Sequence, residues 1–515
     1  MKKNFVGGAV VIAITAVAAK AIGALYRIPL TAVIGAEGIG MYQLIFPVYA
    51  LFITLTSGAA SASVSRLVAE TLAKGENPSR YLKTALAVFS AAGTAGALLL
   101  AALSGTIAGL QGNGLAVAGY FALSPAVFFV AVSSAMKGYY QGFMEMRPSA
   151  FVQIAEQLLK LVIGLLLSRY FFKFGLAAAV AGAALGVTLS EIGGAVFLSA
   201  CMPLLKGKTA GLSPCRDNCA KKIVSLSVPI LLGGIIIPAG FFVDSLIMVN
   251  LLKYTGLSTA AATAQYGLLS GTVSSIVNMP SVIIVALAVA VMPTVSKSRT
   301  DRDLEAVILK SATSIKLALI VGLPATVLCF ALADNILPLL YPTLGAAEIK
   351  LAAALLKISS LGIAASAQMY ILNALLQALD KTYVPLKNML AALAVKTVLT
   401  VTVTLKAGIA GAAIAVVAMN VLTTILNANY LNALVGKNLK LVKNVSEIML
   451  SGVIITVVAL PLSAINVGNA VNIIITSLSV AAVYLLCLMA FKVFDKTELE
   501  GLPLGKLAAK FYRKV

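Results

Sequence analysis

The sequence predicts an all-α polytopic membrane protein, and its composition supports this in three ways. Of the 515 residues, 60% are hydrophobic and only 11% are charged, and the mean hydropathy is +1.01. Soluble domains contain about 25% charged residues. The chain has no histidine and no tryptophan, which excludes metal sites, general bases and proton relays that depend on histidine. Its apolar stretches are separated by short polar breaks, as expected for helical spans of ~20 residues.

Fourteen apolar stretches are long enough to cross a bilayer as helices. In chain order they cover residues 5–33, 41–65, 84–110, 115–136, 149–168, 175–204, 224–252, 265–294, 312–340, 351–379, 385–405, 409–435, 445–467 and 470–491. The first is too long for a cleaved signal peptide, and two basic residues interrupt it. The longest polar break, at 206–222, is too short for a soluble domain.

The basic residues are divided unequally between alternate polar breaks. Of the 39 Lys and Arg residues, 28 lie at the N-terminus and in every second break, five lie in the opposite breaks and six lie inside spans. Cytoplasmic loops of membrane proteins are enriched in Lys and Arg, so both termini are predicted to be cytoplasmic. Because this bias accounts for most of the net charge of +21, no nucleic-acid partner is predicted.

The two halves of the chain resemble each other. The stretch KFGLAAAVAGAALGV at 173–187 is similar to KAGIAGAAIAVVAM at 406–419, a shift of 233 residues, and Lys160 matches Lys396 at a shift of 236. Transporters are often built from such repeats, with the substrate between them. Two pseudo-symmetric six-helix lobes followed by two further helices are therefore predicted. The predicted segments are the first lobe at 1–205, a cytoplasmic linker at 206–222, the second lobe at 223–436, the last two spans at 437–494 and a basic cytoplasmic tail at 495–515.

Two lysines occupy equivalent places in the middle of predicted spans. Lys160 and Lys396 each lie eleven residues into a span, about halfway across a hydrocarbon core of ~30 Å. An ionisable side chain in the membrane is costly, so it generally faces a cavity or a partner. Glu156, one turn before Lys160, offers a structural ion pair as an alternative, whereas Ala392 gives Lys396 no such neighbour. Both lysines are candidates for binding an anionic substrate between the lobes.

The first span carries two cations and no acid. Lys20 and Arg27 are seven residues apart and share one helix face, and Pro29 is expected to break or kink the helix there. The planar guanidinium of arginine suits phosphate. Lys20 and Arg27 are therefore predicted to bind an anion.

Acids inside the spans are candidate sites for a coupling ion. Asp244 follows Pro229 and Pro238 in span 7, and a carboxylate beside broken helix can bind Na⁺ or a proton. An ion pair between Asp244 and Arg27 is the alternative. Glu191 in span 6 is a less favoured candidate.

The sequence indicates no ATPase. Residues 207–209 read GKT, but Met202 stands where a P-loop requires its first glycine. Active transport is therefore expected to use an ion gradient or the membrane potential.

Three stretches carry a resemblance to a known family. They are AKAIGALYRIPLTAVIGAEGIGMYQLIFPVYALF at 19–52, KGYYQGFMEMRPSAFVQIAEQLLK at 137–160 and YGLLSGTVSSIVNMPSVIIVALAVAVMPTVS at 266–296. With the fourteen spans, the chain resembles the multidrug/oligosaccharidyl-lipid/polysaccharide (MOP) exporter superfamily. Within its polysaccharide-transporter branch it is most similar to the stage V sporulation protein B and MurJ-type lipid II flippases. The resemblance runs over essentially the whole chain.

The resemblance implies a transporter of the bacterial cytoplasmic membrane that works by alternating access. Its substrate would be an undecaprenyl-pyrophosphate-linked sugar, such as lipid II or a related peptidoglycan precursor, moved from the inner to the outer leaflet. Arg27 matches the family's span-1 arginine and would bind the pyrophosphate. The last two spans would form a groove for the polyprenyl tail. The implied partners are the lipid-linked substrate and the bilayer. A monomer is expected, because the paired halves already supply the cavity.

The resemblance bears less directly on ion coupling. Relatives that bind Na⁺ use the span-7 acid together with an asparagine and an aspartate from span 11. Asp244 and Asn388 match, but Ala392 stands near the expected second acid. Asp244, Asn388 and Glu156 are the candidate ion-coupling residues, and no cofactor is expected beyond Na⁺ or H⁺.

Two other functions remain open. A MATE-like drug/cation antiporter of the same superfamily would be expected to place acids, rather than cations, in its cavity. A membrane glycosyltransferase or polymer ligase would need a long exterior loop with catalytic acids or histidines, whereas the exterior breaks are short, with Glu37 and Glu348 as their clear acids. The sequence therefore predicts no catalytic residues and no metal site.

Overall fold

A computed structural model describes residues 2–206, 209, 211–215, 218–435 and 445–493, with side chains from residue 15 onward except at 206 and 214. The predicted basic tail at 495–515, the polar break at 437–443 and the first two residues of the GKT motif lie outside the described residues. The linker at 206–222 is described in part.

The described residues are almost entirely helical. Twelve helices are long and apolar enough to span a membrane, and the bent pair Ala346–Ser360 and Ile363–Ala378 makes a thirteenth. One of the twelve, Thr15–Ala73, has 59 residues, about 88 Å of helix, and it contains a non-helical residue at Gly35. Because the hydrocarbon core is ~30 Å thick, this stretch is long enough for two crossings. The all-α polytopic fold is confirmed, and the helices accommodate about fourteen spans.

The chain forms two compact units, of which the first covers Met1–Thr272. Its helices are α1 (Lys2–Ser57), α2 (Ala60–Ala73), α3 (Ser79–Leu110), α4 (Val117–Gly142), α5 (Arg147–Phe171), α6 (Leu176–Cys201), α7 (Pro203–Lys206), α8 (Cys219–Gly234), α9 (Ile236–Tyr254) and α10 (Thr259–Gly267). One buried apolar cluster surrounds Tyr26, Ile45 and Tyr120, and another surrounds Val64 and Tyr140. Burial of these apolar side chains holds the helices of the unit together.

Two short strands connect the loop after α2 to the linker that precedes α8. β1 (Glu76–Asn77) pairs in parallel with β2 (Ser213–Pro214). Arg80, at the start of α3, donates a hydrogen bond to the carbonyl oxygen of Cys215 at 3.3 Å. The described part of the linker is therefore fixed to the first unit.

The second unit covers Val273–Val515. Its helices are α11 (Ser274–Val277), α12 (Met279–Thr300), α13 (Leu304–Ala331), α14 (Ala333–Leu340), α15 (Ala346–Ser360), α16 (Ile363–Ala378), α17 (Tyr383–Ala407), α18 (Ile409–Val435), α19 (Val445–Ser463) and α20 (Asn469–Ala490). One buried cluster includes Ile284, Leu372 and Leu431. A second includes Ile455 and Tyr484, which places α19 and α20 against α13.

Large apolar side chains also cover the outer surface of both units. Leu98 and Leu166 in the first unit and Leu478 in the second are each about two-thirds exposed. In a soluble protein, apolar exposure on this scale would promote association. On transmembrane helices it is the surface that contacts lipid.

One helix pair recurs in the two units with the spacing that the sequence repeat predicts. α5 and α17 each have 25 residues, and Lys160 and Lys396 are each the fourteenth. A glycine with positive φ follows each helix within a few residues, at Gly175 and Gly408, and α6 or α18 begins at the next residue. The repeat therefore preserves a helix–turn–helix unit as well as a sequence pattern.

The break in α1 lies six residues beyond the predicted one. The helix runs through Pro29 and is interrupted at Gly35, where φ is 66° and ψ is −174°. That backbone conformation is open essentially only to glycine. Proline removes one helical hydrogen bond, but here the change of direction occurs at Gly35.

Candidate functional site

A pair of cations lies inside the first unit. Lys160 of α5 and Arg27 of α1 are close enough to interact electrostatically. The Lys160 ammonium lies 5.6 Å from the centroid of the Tyr26 ring, within the range of a cation–π contact. Two like charges held close together favour binding of an anion between them. We call Arg27 and Lys160 the cation pair.

Glycines let α1 and α5 approach each other at the cation pair. A Cβ atom on Gly164 would lie 2.5 Å from the hydroxyl oxygen of Tyr26. A Cβ atom on Gly23 would lie 3.2 Å from Oε1 of Gln157 and 3.9 Å from Nζ of Lys160. The small residues at these two positions therefore determine where the Tyr26 ring and the lysine amine can lie.

Arg27 also contacts a π-helical segment, Leu268–Val273, that follows α10. Its Nη1 donates to the carbonyl oxygen of Gly271 at 3.5 Å, and Gln43 of α1 donates to the carbonyl oxygen of Ser270 at 2.5 Å. π-Helical turns are frequent at functional sites. Side chains of α1 here bind backbone carbonyls of the irregular segment.

Asp244 lies in the same unit, on α9. The charges of Asp244 and Arg27 both act on Tyr266 of α10. The acid that the sequence singled out for ion coupling and the arginine singled out for pyrophosphate therefore share a neighbour.

Glu156 forms a buried ion pair with Lys137. The lysine amine lies 3.0 Å and 3.2 Å from the two carboxylate oxygens of Glu156, and their side chains are 18% and 8% exposed. When the basic residues were divided between the polar breaks, Lys137 was assigned to a cytoplasmic break. In the structure it lies within α4. Gly194 of α6 packs directly against Glu156, since a Cβ atom there would lie 2.4 Å from Oε1 of Glu156.

The remaining predicted site residues have different surroundings. Lys20 is exposed on α1. Lys396, in the second unit, is buried with 6% exposure. Asn388 donates to Asn427 at 2.8 Å, and Asn427 donates to Asn373 at 2.7 Å, so these amides form a ladder across α17, α18 and α16.

Two contributors to the site were missed from the sequence. Lys137 was assigned to a loop because a charged residue appeared to end the span. The apolar residues before it and the Gly-Tyr-Tyr-Gln-Gly sequence after it would have allowed one more helical turn. Tyr26 carries no sequence signal that separates it from the other aromatic residues of apolar spans, yet the face of its ring meets Lys160.

Comparison with known proteins identifies relatives of the whole chain. The profile of the polysaccharide biosynthesis protein family matches residues 5–299. Stage V sporulation protein B of Bacillus subtilis (strain 168) is 27% identical over 98% of this chain and 99% of that protein. The relationship extends through both units.

Solved structures share the fold at low sequence identity. The lipid II flippase MurJ in an inward closed conformation has a TM-score of 0.67 and 15% identity, over 93% of this chain and 98% of that one. An inward-facing multidrug resistance MATE transporter of the MOP superfamily has a TM-score of 0.65 and 15% identity, over 82% and 95%. The fold is therefore shared by a lipid flippase and a drug transporter.

Proposed function

The chain belongs to the polysaccharide biosynthesis protein family, within the MOP superfamily of membrane transporters, and we propose that it flips an undecaprenyl-pyrophosphate-linked sugar. The substrate is lipid II or a related peptidoglycan precursor, and it moves from the inner to the outer leaflet by alternating access. Stage V sporulation protein B and the MurJ lipid II flippase, to which the chain is similar, motivate this substrate class.

The cation pair is the observation that carries the proposal. Arg27 and Lys160 come from two helices and interact with each other, and Lys160 lies beside the Tyr26 ring. A pyrophosphate diester carries two negative charges, and charge-assisted hydrogen bonds from arginine and lysine suit it. Lys396 and Lys20 are proposed as further contacts to the substrate along the transport path.

The protein also has a proposed orientation in the membrane and a proposed driving force for transport. Both termini face the cytoplasm of a bacterium, and the protein acts as a monomer without enzymatic activity or a cofactor beyond a coupling Na⁺ or H⁺. Asp244 and Asn388 remain the proposed ion-coupling residues, whereas Glu156, the third residue that the sequence indicated, is already paired with Lys137. The helices α19 and α20 would hold the polyprenyl tail. An interior-negative membrane potential itself favours outward movement of an anion, by ~2.3 kcal/mol per charge per 100 mV.

The test is binding of an undecaprenyl-pyrophosphoryl sugar to the purified protein in lipid nanodiscs. Arg27→Ala and Lys160→Ala should each weaken binding about tenfold or more, because a lost charge-assisted contact costs about 1.5–3 kcal/mol. Lys396→Ala tests whether the second unit also contributes. Lys406→Ala, which removes an exposed lysine at the end of α17, is the matched control and should leave affinity unchanged.

A drug/cation antiporter is the second candidate, because a multidrug transporter shares the fold. If the protein binds organic cations but not the lipid, and Arg27→Ala has no effect, the flippase proposal is wrong and the antiporter is favoured.

A further inference from the structure

Two acids and two lysines meet where α4, α5 and α6 pack in the first unit. The Lys137 amine donates hydrogen bonds to both carboxylate oxygens of Glu156. Glu191 of α6 interacts electrostatically with Glu156, Lys137 and Lys160. Lys160 belongs to the cation pair, so Glu191 connects the buried ion pair to the proposed substrate site.

The position of Glu191 on α6 supports this placement. Gly194 lies three residues after Glu191 and therefore on the same helix face. A Cβ atom on Gly194 would contact Oε1 of Glu156, so this face of α6 is directed toward the ion pair. Glu191 is half-buried.

A buried hydroxyl without a partner lies next to the two acids. Tyr49 of α1 is 5% exposed, and among the described residues its hydroxyl makes no hydrogen bond. Glu191 and Glu156 both act on Tyr49 electrostatically. Three neighbouring helices therefore contribute polar groups around Glu191. These groups are Tyr49 of α1, Lys137 of α4, and Glu156 and Lys160 of α5. An unpartnered buried polar group indicates a position where a further hydrogen bond can form.

The arrangement suits a proton better than a metal cation. The Lys137 ammonium already neutralises Glu156, which leaves Glu191 to share Lys160 with any bound anion. A proton needs only one carboxylate oxygen of Glu191, whereas a metal cation needs several oxygen ligands, and Lys137 already binds both oxygens of Glu156. Groups of acids able to hold a metal ion are absent from the described residues.

We propose that Glu191 is a proton-binding carboxyl and that its protonation is coupled to binding of the anionic substrate at Arg27 and Lys160. This inference rests on the proposed function for the identity of the anion. The proton passes from hydronium to a carboxylate oxygen of Glu191, forming an O–H bond and leaving water, and it returns to water when the anion leaves. Coupling arises because ionised Glu191 competes with the anion for the charge of Lys160.

The direction of the effect follows from this competition. Lowering the pH protonates Glu191, removes a negative charge beside Lys160 and strengthens binding of the anion. By reciprocity, binding of the anion draws a proton onto Glu191. Uptake of one proton lowers the affinity by at most about tenfold for each unit that the pH rises.

The first experiment requires no substrate. Infrared difference spectra of the protein in nanodiscs, recorded as the pH is stepped, should contain a protonated-carboxyl band that Glu191→Gln removes and Glu191→Asp shifts but retains. Glu305→Gln, at an exposed acid in the first turn of α13, should leave the band intact. Spectra of wild type and Glu191→Gln that match, or a band lost in Glu156→Gln but kept in Glu191→Gln, would overturn the assignment.

The second experiment measures coupling with the undecaprenyl-pyrophosphoryl sugar as the probe, because its pyrophosphate diester has no group that titrates near neutral pH. Calorimetric titrations in two buffers of different ionisation enthalpy should detect proton uptake in wild type, with affinity that falls as pH rises. Glu191→Gln should bind without proton uptake and with nearly pH-independent affinity, because it mimics the neutral carboxyl. Sodium-dependent affinity in place of proton uptake would reject the coupling.

The two experiments separate the inference from the proposed function. If wild type fails to bind the lipid, the proposed function and the coupling are both wrong, while the infrared band still decides whether Glu191 takes up a proton. If the lipid binds with identical pH dependence in wild type and Glu191→Gln, the proposed function survives and the coupling is rejected.

Discussion

At the scale of single residues, charges inside the first unit follow two patterns. Lys137 and Glu156 lie at hydrogen-bonding distance in buried surroundings. Arg27 and Lys160 lie close to each other, and binding of an anion between them relieves their mutual repulsion. The first pattern stabilises the fold, and the second sacrifices some stability for binding.

Removal of Lys137 should destabilise the protein strongly. Lys137→Met leaves the Glu156 carboxylate buried without its counter-charge, a change that typically costs 3–5 kcal/mol. Adding Glu156→Gln should recover much of this loss, because the uncompensated charge is then gone. Unfolding in denaturant, followed by circular dichroism in nanodiscs, measures both variants and their coupling energy.

The pair Arg66–Glu70 in α2 is the matched control. Its side chains are 66% and 51% exposed, and solvent-exposed ion pairs contribute about 1 kcal/mol or less. Arg66→Ala should therefore change stability little. Equal losses from Lys137→Met and Arg66→Ala would contradict the distinction between the buried and the exposed pair.

At the scale of the helix, Gly35 should be essential to the shape of α1. A Cβ atom there would meet nothing within 4 Å, so Gly35→Ala tests backbone conformation alone and should cost about 1–3 kcal/mol. Gly105→Ala in α3, where space is also open, should instead stabilise by about 0.5–1 kcal/mol, because glycine is a poor helix former. The same unfolding assay compares them, and a stabilising Gly35→Ala would show that the break is not required.

Hydropathy predicted the helices well, since each span must bury its backbone hydrogen bonds within one element. It was less reliable at their ends and breaks. Lys137 ended a predicted span because a charge was taken as a loop signal, yet Glu156, nineteen residues later in the chain, binds its amine. The break at Gly35 depends on a backbone angle that proline statistics do not report. Long-range partners and φ angles are tertiary properties, and local sequence patterns do not encode them directly.

At the scale of the whole molecule, composition predicted membrane-spanning helices, and the sequence repeat also predicted which helices of the two units correspond. The shift of 236 residues between Lys160 and Lys396 corresponds to two helices of equal length. Lys160 lies beside the Tyr26 ring, and Lys396 is buried in the second unit. Periodicity predicted equivalent positions for the two lysines, but it could not reveal the contact between Lys160 and Tyr26, which is a tertiary property.

The charge bias makes a topological prediction for the whole chain. Between Lys74 and Tyr254 the chain contains α3, α4, α5 and α6 and the broken pair α8–α9. If that pair crosses once, the number of crossings is odd, and positions 74 and 254 lie on opposite sides. The excess of Lys and Arg predicts that position 74 is cytoplasmic and position 254 is exterior.

Cysteine labelling tests this arrangement. The described residues include all five native cysteines, and none of them forms a disulfide. They are first replaced by alanine, and Lys74→Cys or Tyr254→Cys is then introduced at an exposed site. A membrane-impermeant thiol reagent should label Tyr254→Cys in intact cells and Lys74→Cys only after lysis. Labelling of both positions from outside would mean that α8–α9 re-enters the membrane without crossing it. Labelling of Lys74→Cys alone would mean that the orientation is the reverse of the predicted one.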